Sequence, residues 1–144
     1  MRLSTRGRYG LKAMVDLAVE YGSRPMSVSA LAALQGISDS YLEQLLHQLR
    51  KAELVISTRG AQGGYKLSRP PEEINVGEVL RTLEGTTALV ECVGDEFFGC
   101  DNACSCSARP LWLKLQSRIN DVLNSTTIRD MAEDYITQKR RMEK

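Results

Sequence analysis

Apolar residues in the first fifty positions recur three and four apart, the spacing of one helix face. Between Gly10 and Tyr21, Leu11, Met14, Val15, Ala18 and Tyr21 share one side, Lys12, Asp16 and Glu20 take the other, and Gly22 closes the pattern. A first amphipathic helix follows. Met26 to Gln35 offers Ser27 or Ser29 as an N-cap, then an Ala/Leu run, with Gly36 where a left-handed C-cap falls, so the spacing predicts a short second helix. Ser38 or Ser40 caps a third helix whose buried stripe is Leu42, Leu45, Leu46 and Leu49. Ser40 and Glu43 stand at capping-box spacing. The face left over carries Ser40, Glu43, Gln44, His47 and Lys51, polar side chains of a length suited to reading base edges.

The period then changes. Leu54 to Thr58 is a β-prone run, Arg59 to Gly64 is glycine-rich, and Tyr65 to Leu67 is a second short run, which together predict a hairpin with a basic tip. Pro70-Pro71 ends that unit. Helical spacing resumes from Ile74 to Leu83, with Val76, Val79, Leu80 and Leu83 inward, and stops at Gly85. A further helix runs from Pro110 through Trp112, Leu115, Ile119 and Val122 to Leu123. Ser125-Thr126-Thr127 caps a last helix with Ile128, Met131 and Tyr135, and the charged tail Lys139 to Lys144 is expected to fray. The fold class is mainly α with a small β-hairpin wing, a winged helix-turn-helix followed by a long C-terminal helix. Four regions result: a DNA-binding domain over 1–70, a connecting helix over 71–85, a cysteine-rich loop over 86–107, and 108–144 for the two last helices.

With 144 residues, 42% hydrophobic and 26% charged, the chain fits one compact domain or a small domain with an appendage, not a large multidomain enzyme. No run approaches the ~20 apolar residues that span a bilayer, and no apolar stretch backs the charges of the first ten residues. The expectation is a cytoplasmic protein with no membrane partner. The net charge of +1 hides an asymmetry: residues 1–70 hold ten Lys/Arg against five Asp/Glu, and residues 71–144 hold nine against thirteen. A basic first half suits a polyanion. The order helix, short helix, turn, helix, glycine-tipped hairpin is that of a winged helix-turn-helix, whose third helix enters the major groove of double-stranded DNA. Gln44 can bind adenine with two hydrogen bonds, Ser40 can donate or accept, and Arg59 on its narrow loop can enter a groove closed to a thicker element. No nucleophile with a base and no paired carboxylates fall in a pocket pattern, so the chain reads as a non-enzyme.

All four cysteines lie in the 86–107 stretch as Cys92-x7-Cys100-x3-Cys104-x-Cys106, without one Lys or Arg. In a reducing cytosol such thiols are available to metal rather than paired as disulfides. Zinc is one candidate, although its usual Cys-x2-Cys knuckles are missing. An iron–sulfur cluster suits the irregular spacing, and four thiolates beside Glu91, Asp95, Glu96 and Asp101 call for a cation.

Several runs are similar to one family: Met1 to Tyr9, Gly36 to Leu45, Val55 to Tyr65 with Arg59-Gly60 and Gly63-Gly64-Tyr65, and Leu111-Trp112. The chain resembles the IscR-like iron–sulfur cluster transcriptional regulators, in the superfamily that also holds the NsrR and CymR regulators, over nearly its whole length. The resemblance implies a homodimeric repressor of cluster-assembly genes that binds a promoter operator. Leu111, Leu115, Ile119 and Val122 would form the dimer seam, though the same stripe would also serve a monomer core. It implies base contacts from Ser40 and Gln44, tuning by Glu43, a wing contact from Arg59, and phosphate contacts from Arg2, Arg6 and Arg8. Ser4, Ser38, Tyr41, His47 and Gly60 complete the candidate DNA-contacting set. A 2Fe–2S cluster, with 4Fe–4S as the alternative, would use Cys92, Cys100 and Cys106. The family's histidine ligand is replaced by Arg109, and the acidic ligand of the NsrR type by Arg8, neither of which can bind iron. Cys104 is the expected substitute, with Glu43 or a group from a partner chain as alternatives. Rival readings are a nitric-oxide or thiol-redox sensing repressor and, from another class, a metal-storage or electron-transfer protein.

Overall fold

The computed structural model describes residues 2–94 and 105–144. Helix α1 (Thr5–Val19) opens five residues earlier than its apolar pattern predicts, because Ser4 is an N-cap whose hydroxyl accepts from Gly7 N. Helix α2 (Val28–Gln35) is capped by Ser27 and ends at Gly36, which takes the left-handed conformation at φ +65°. Helix α3 (Asp39–Lys51) is capped by Ser38, accepting from Tyr41 N at 3.2 Å. The Ser40–Glu43 capping box is therefore not formed, since Ser40 lies one residue inside the helix, and its hydroxyl stands exposed. All four predicted leucines of α3 are buried.

The wing is the antiparallel pair β1 (Val55–Thr58) and β2 (Gly64–Leu67), in the register Val55 to Leu67 and Thr58 to Gly64. Its base is broader than a hairpin. Met26, just ahead of α2, exchanges both backbone hydrogen bonds with Tyr65, at 2.9 and 2.7 Å. Gly64 makes this approach feasible, because a Cβ there would lie 2.2 Å from the Met26 carbonyl oxygen.

After a 3-10 turn at Pro71–Glu73, α4 (Val76–Glu84) starts from a capping box of Asn75 and Glu78. A second 3-10 turn, Glu91–Val93, precedes α5 (Arg109–Ser125). Thr127 and Asp130 form another capping box for α6 (Ile128–Met142). The predicted fraying at Lys139 is corrected here: α6 continues to Met142, its last turn carrying Lys139, Arg140 and Arg141, the sign that suits a helix C-terminus. Helix α6 returns to pack on α1, and a short bridge pairs the backbones at Asn75 and Thr127. The core runs through Met14, Leu31, Leu45, Leu46, Ile74, Val79 and Ile128, so α1, α2, α3, α4 and α6 share one apolar interior.

Helix α5 is different. Gln116 is its one buried residue, while Leu111, Leu115 and Val122 are 51%, 39% and 62% exposed. The predicted stripe is thus not a core of the single chain, and Leu113 adds to its exposed apolar surface at 43%. Among the described residues no helix is long and apolar enough to cross a membrane.

Candidate nucleic-acid interface and cysteine segment

Burying Leu42, Leu45, Leu46 and Leu49 orients α3 and leaves its opposite side to solvent. Ser40, Glu43, Gln44 and His47 are all exposed there. The first turn of α3 is set by Ser38, and its end is tied to the wing by Arg50, whose Nη1 donates to Ser57 Oγ at 3.1 Å. Arg59 and Gly60 lie at the exposed wing tip, Gly60 at φ +109°, a conformation that glycine adopts without strain. The Arg50 link has no local sequence signal, because it joins two separately predicted elements.

Arg2, just ahead of α1, and Arg6 and Arg8, in its first turns, are exposed, and none joins an ion pair among the described residues. Such arginines are available to phosphate. Two neighbours in the candidate set have internal work instead. Ser4 Oγ caps α1 and donates to Glu84 Oε1 at 2.7 Å. Tyr41 is half-buried, its ring edge-on to Tyr9 at 6.4 Å between centroids, which fixes α3 against α1.

Of the candidate cluster ligands, Cys92 lies in the Glu91–Val93 turn and Cys106 just before α5; both are half-buried free thiols. Cys100 and Cys104 lie outside the described residues. Glu43 stands exposed on α3, and among the described residues no three His, Cys, Asp or Glu side chains gather as a metal site. The segment before Cys92 is held by Gln116 of α5. Its Oε1 accepts from Leu89 N at 2.6 Å, and its Nε2 donates to Thr87 O at 3.2 Å and to Asn120 Oδ1 at 3.0 Å. Gln116 reads in the sequence as one more polar residue of a surface helix. Its burial, which leaves it 7% exposed, makes it a clamp for the cysteine segment.

Asp16, half-buried on α1, accepts from Gln35 Nε2 at 2.8 Å at the end of α2. Burial pushes its carboxyl above the usual carboxylate range, against the lowering effects of Gln35, Lys139 and Lys12.

The profile of the Rrf2 family, described as an iron-dependent transcriptional regulator, matches residues 3–134. The solved structure of CymR, the global cysteine regulator of B. subtilis, is similar with a TM-score of 0.79 at 41% identity, covering 92% of this chain and 97% of that one. The structure of T. potens IscR gives a TM-score of 0.75 at 43% identity over 94% of this chain and 88% of its own. The regulator IscR of Sodalis glossinidius is 40% identical over 134 residues, 93% of this chain and 80% of the relative.

Proposed function

The chain belongs to the Rrf2 family of transcriptional regulators, and from that premise we propose that it is a dimeric, cytoplasmic repressor of iron–sulfur cluster assembly genes that senses cluster supply through its own cysteine segment. The observation that carries the sensing half is the gathering of every cysteine into one acidic stretch between α4 and α5, with Cys92 and Cys106 as free, partly accessible thiols at its two described ends. Their chemistry fits an iron–sulfur cluster, since soft thiolates are its ordinary ligands. Cys92, Cys100 and Cys106 would hold it, with Cys104 as fourth ligand in place of the missing histidine and Glu43 as the alternative. When bound, a 2Fe–2S group supplies a redox-sensitive crosslink across this segment.

The DNA half rests on the exposed face of α3 and on Arg59. Ser40 and Gln44 read base edges, Glu43 restricts which bases are accepted, and Arg59 enters the minor groove beside the half-site. Ser38, Tyr41, His47 and Gly60 frame that face, while Arg2, Arg6 and Arg8, with Ser4 beneath them, carry phosphate contacts. The exposed apolar stripe of α5 supports a homodimer, because two copies together bury what one leaves in water.

A specific departure favours a second reading. Arg109 stands where the IscR-like pattern has histidine, and the similarity to the cysteine regulator CymR is of the same order as that to IscR. A thiol-redox repressor would use the same cysteines without a cluster. Purification without oxygen, followed by a visible spectrum with iron and sulfide assays, separates the two. Bands at about 400–500 nm with about two irons and two sulfides per chain support the cluster, and a colourless protein after attempted reconstitution supports the thiol reading.

A further inference from the structure

The N-terminal arm, taken as Arg2 to Ser4 with the first turns of α1 that carry Arg6 and Arg8, is held at Ser4 by a residue 80 positions away. Both the backbone N and the Oγ of Ser4 donate to the same oxygen, Oε1 of Glu84, at 2.9 and 2.7 Å. Glu84 is the last residue of α4, and it reaches α1 through a notch cut by two glycines one turn apart. A Cβ on Gly7 would lie 2.1 Å from Glu84 Oε1, and one on Gly10 would lie 2.2 Å from Leu83 Cδ1. Leu83 and Glu84 thus fill the space that α1 leaves at consecutive turns.

The electrostatics run the same way. The first turn of α1 has no acidic residue of its own, and Arg6 and Arg8 place cations at the positive end of the helix dipole. The Glu84 carboxylate supplies the compensating negative charge from α4. It does so without pairing to the arginines, because no ion pair among the described residues engages them.

On its other side Glu84 is three residues from the cysteine segment's anchor at Thr87. Gly85, at φ +82°, ends α4, and Thr87 and Leu89 are already clamped by Gln116. Cys92 follows three residues later. A shift of the clamped segment therefore reaches the end of α4, and with it the oxygen that positions the N-terminal arm, without crossing the core.

We infer that Glu84 is a positioning residue that couples the cysteine segment to the phosphate-contacting arm. This rests on the proposed reading of Arg2, Arg6 and Arg8 as DNA contacts and of Cys92 as part of the sensing site. Coupling here requires no change in α3, only a carboxylate whose place depends on the chain after Gly85.

The test uses the full chain and a duplex enriched from a random-sequence pool. Binding is measured for wild type, Glu84→Ala and Glu84→Gln across a salt series, each after chelator stripping and after reconstitution with ferrous iron and sulfide. Glu84→Ala is expected to bind about tenfold more weakly when stripped and to lose about one to two counterions from the salt dependence. Glu84→Gln keeps an oxygen for both Ser4 donors and is expected within about threefold of wild type, since a neutral acceptor still makes both hydrogen bonds. The ratio of reconstituted to stripped affinity is expected to fall toward one in Glu84→Ala. Equal affinities in all three proteins, tighter binding by both variants as simple removal of a negative charge near DNA would give, or an unchanged ratio in Glu84→Ala each overturn the inference. If Glu84→Ala does not fold, Ser4→Ala removes one of the two bonds, and wild-type affinity there overturns it equally. A wild-type ratio of one instead defeats the sensing reading, and the stripped affinities alone then decide the role of Glu84.

Discussion

Ser38 shows how one side chain sets the proposed reading face. Its Oγ accepts from Tyr41 N and so fixes where α3 begins, which places Ser40 in the exposed first turn beside Glu43 and Gln44. Replacing Ser38 with Ala is expected to cost about 1 kcal/mol, the ordinary value of an N-cap, measurable as a lower midpoint in denaturant titration. Gly10 sets a tighter limit. A methyl group there meets Leu83 Cδ1 at 2.2 Å inside a filled core, so Gly10→Ala is expected to destabilise the fold by about 1–3 kcal/mol, in contrast to the stabilisation that the same change gives at an open helix position. Local signals of this kind were partly legible. Each cap is read from residues within three of it, which is why Ser27, Ser38 and Thr127 stand among the predicted choices. The Glu84–Ser4 contact and the burial of Gln116 have no such signal, since their partners lie 80 and 27 to 29 residues away.

At the scale of elements, the leucine stripe of α3 and the hairpin are where the pattern is clearest, because one face of each meets the core. The pairing of Met26 with Tyr65 was illegible, as a single bridge needs no β-prone run. Helix α5 holds Leu111, Leu113, Leu115 and Val122 outward, and that makes a prediction about assembly. Val122→Asp places a charge in the stripe at the residue with its largest exposure, 62%. The single chain should tolerate the change, so circular dichroism is expected to show an unaltered helical fold. Sedimentation is expected to show a dimer for wild type and a monomer for the variant. A wild-type protein that sediments as a monomer at all concentrations contradicts the assignment of this face. Arg59→Ala, at the wing tip, is expected to lower operator affinity with no effect on assembly, because it touches neither the core nor α5.

Across the whole molecule, one half-buried carboxyl on α1, Asp16, meets the end of α2 through Gln35 and feels the charge of Lys139 on α6. Asp16 is held above its usual range chiefly by burial, so the folded chain binds its proton more tightly than the unfolded chain. Stability from this group is present at low pH and is lost as pH rises from the ordinary carboxyl value through the raised one. Asp16→Asn should remove that slope from a stability-versus-pH curve and leave the protein slightly more stable at neutral pH, since its amide oxygen still accepts from Gln35. A curve that keeps the wild-type slope assigns the effect to another group. In the proposed function, the cysteine segment governs a DNA-reading face elsewhere in the chain. The most direct measurement of that control is the affinity of one anaerobic preparation for its selected duplex, before and after the cysteine site is stripped, at fixed salt. A change of about tenfold or more, or about 1.4 kcal/mol, or a changed sequence preference, with dimer and helix content unaltered, is the predicted result. Identical affinity and preference in both states would contradict it.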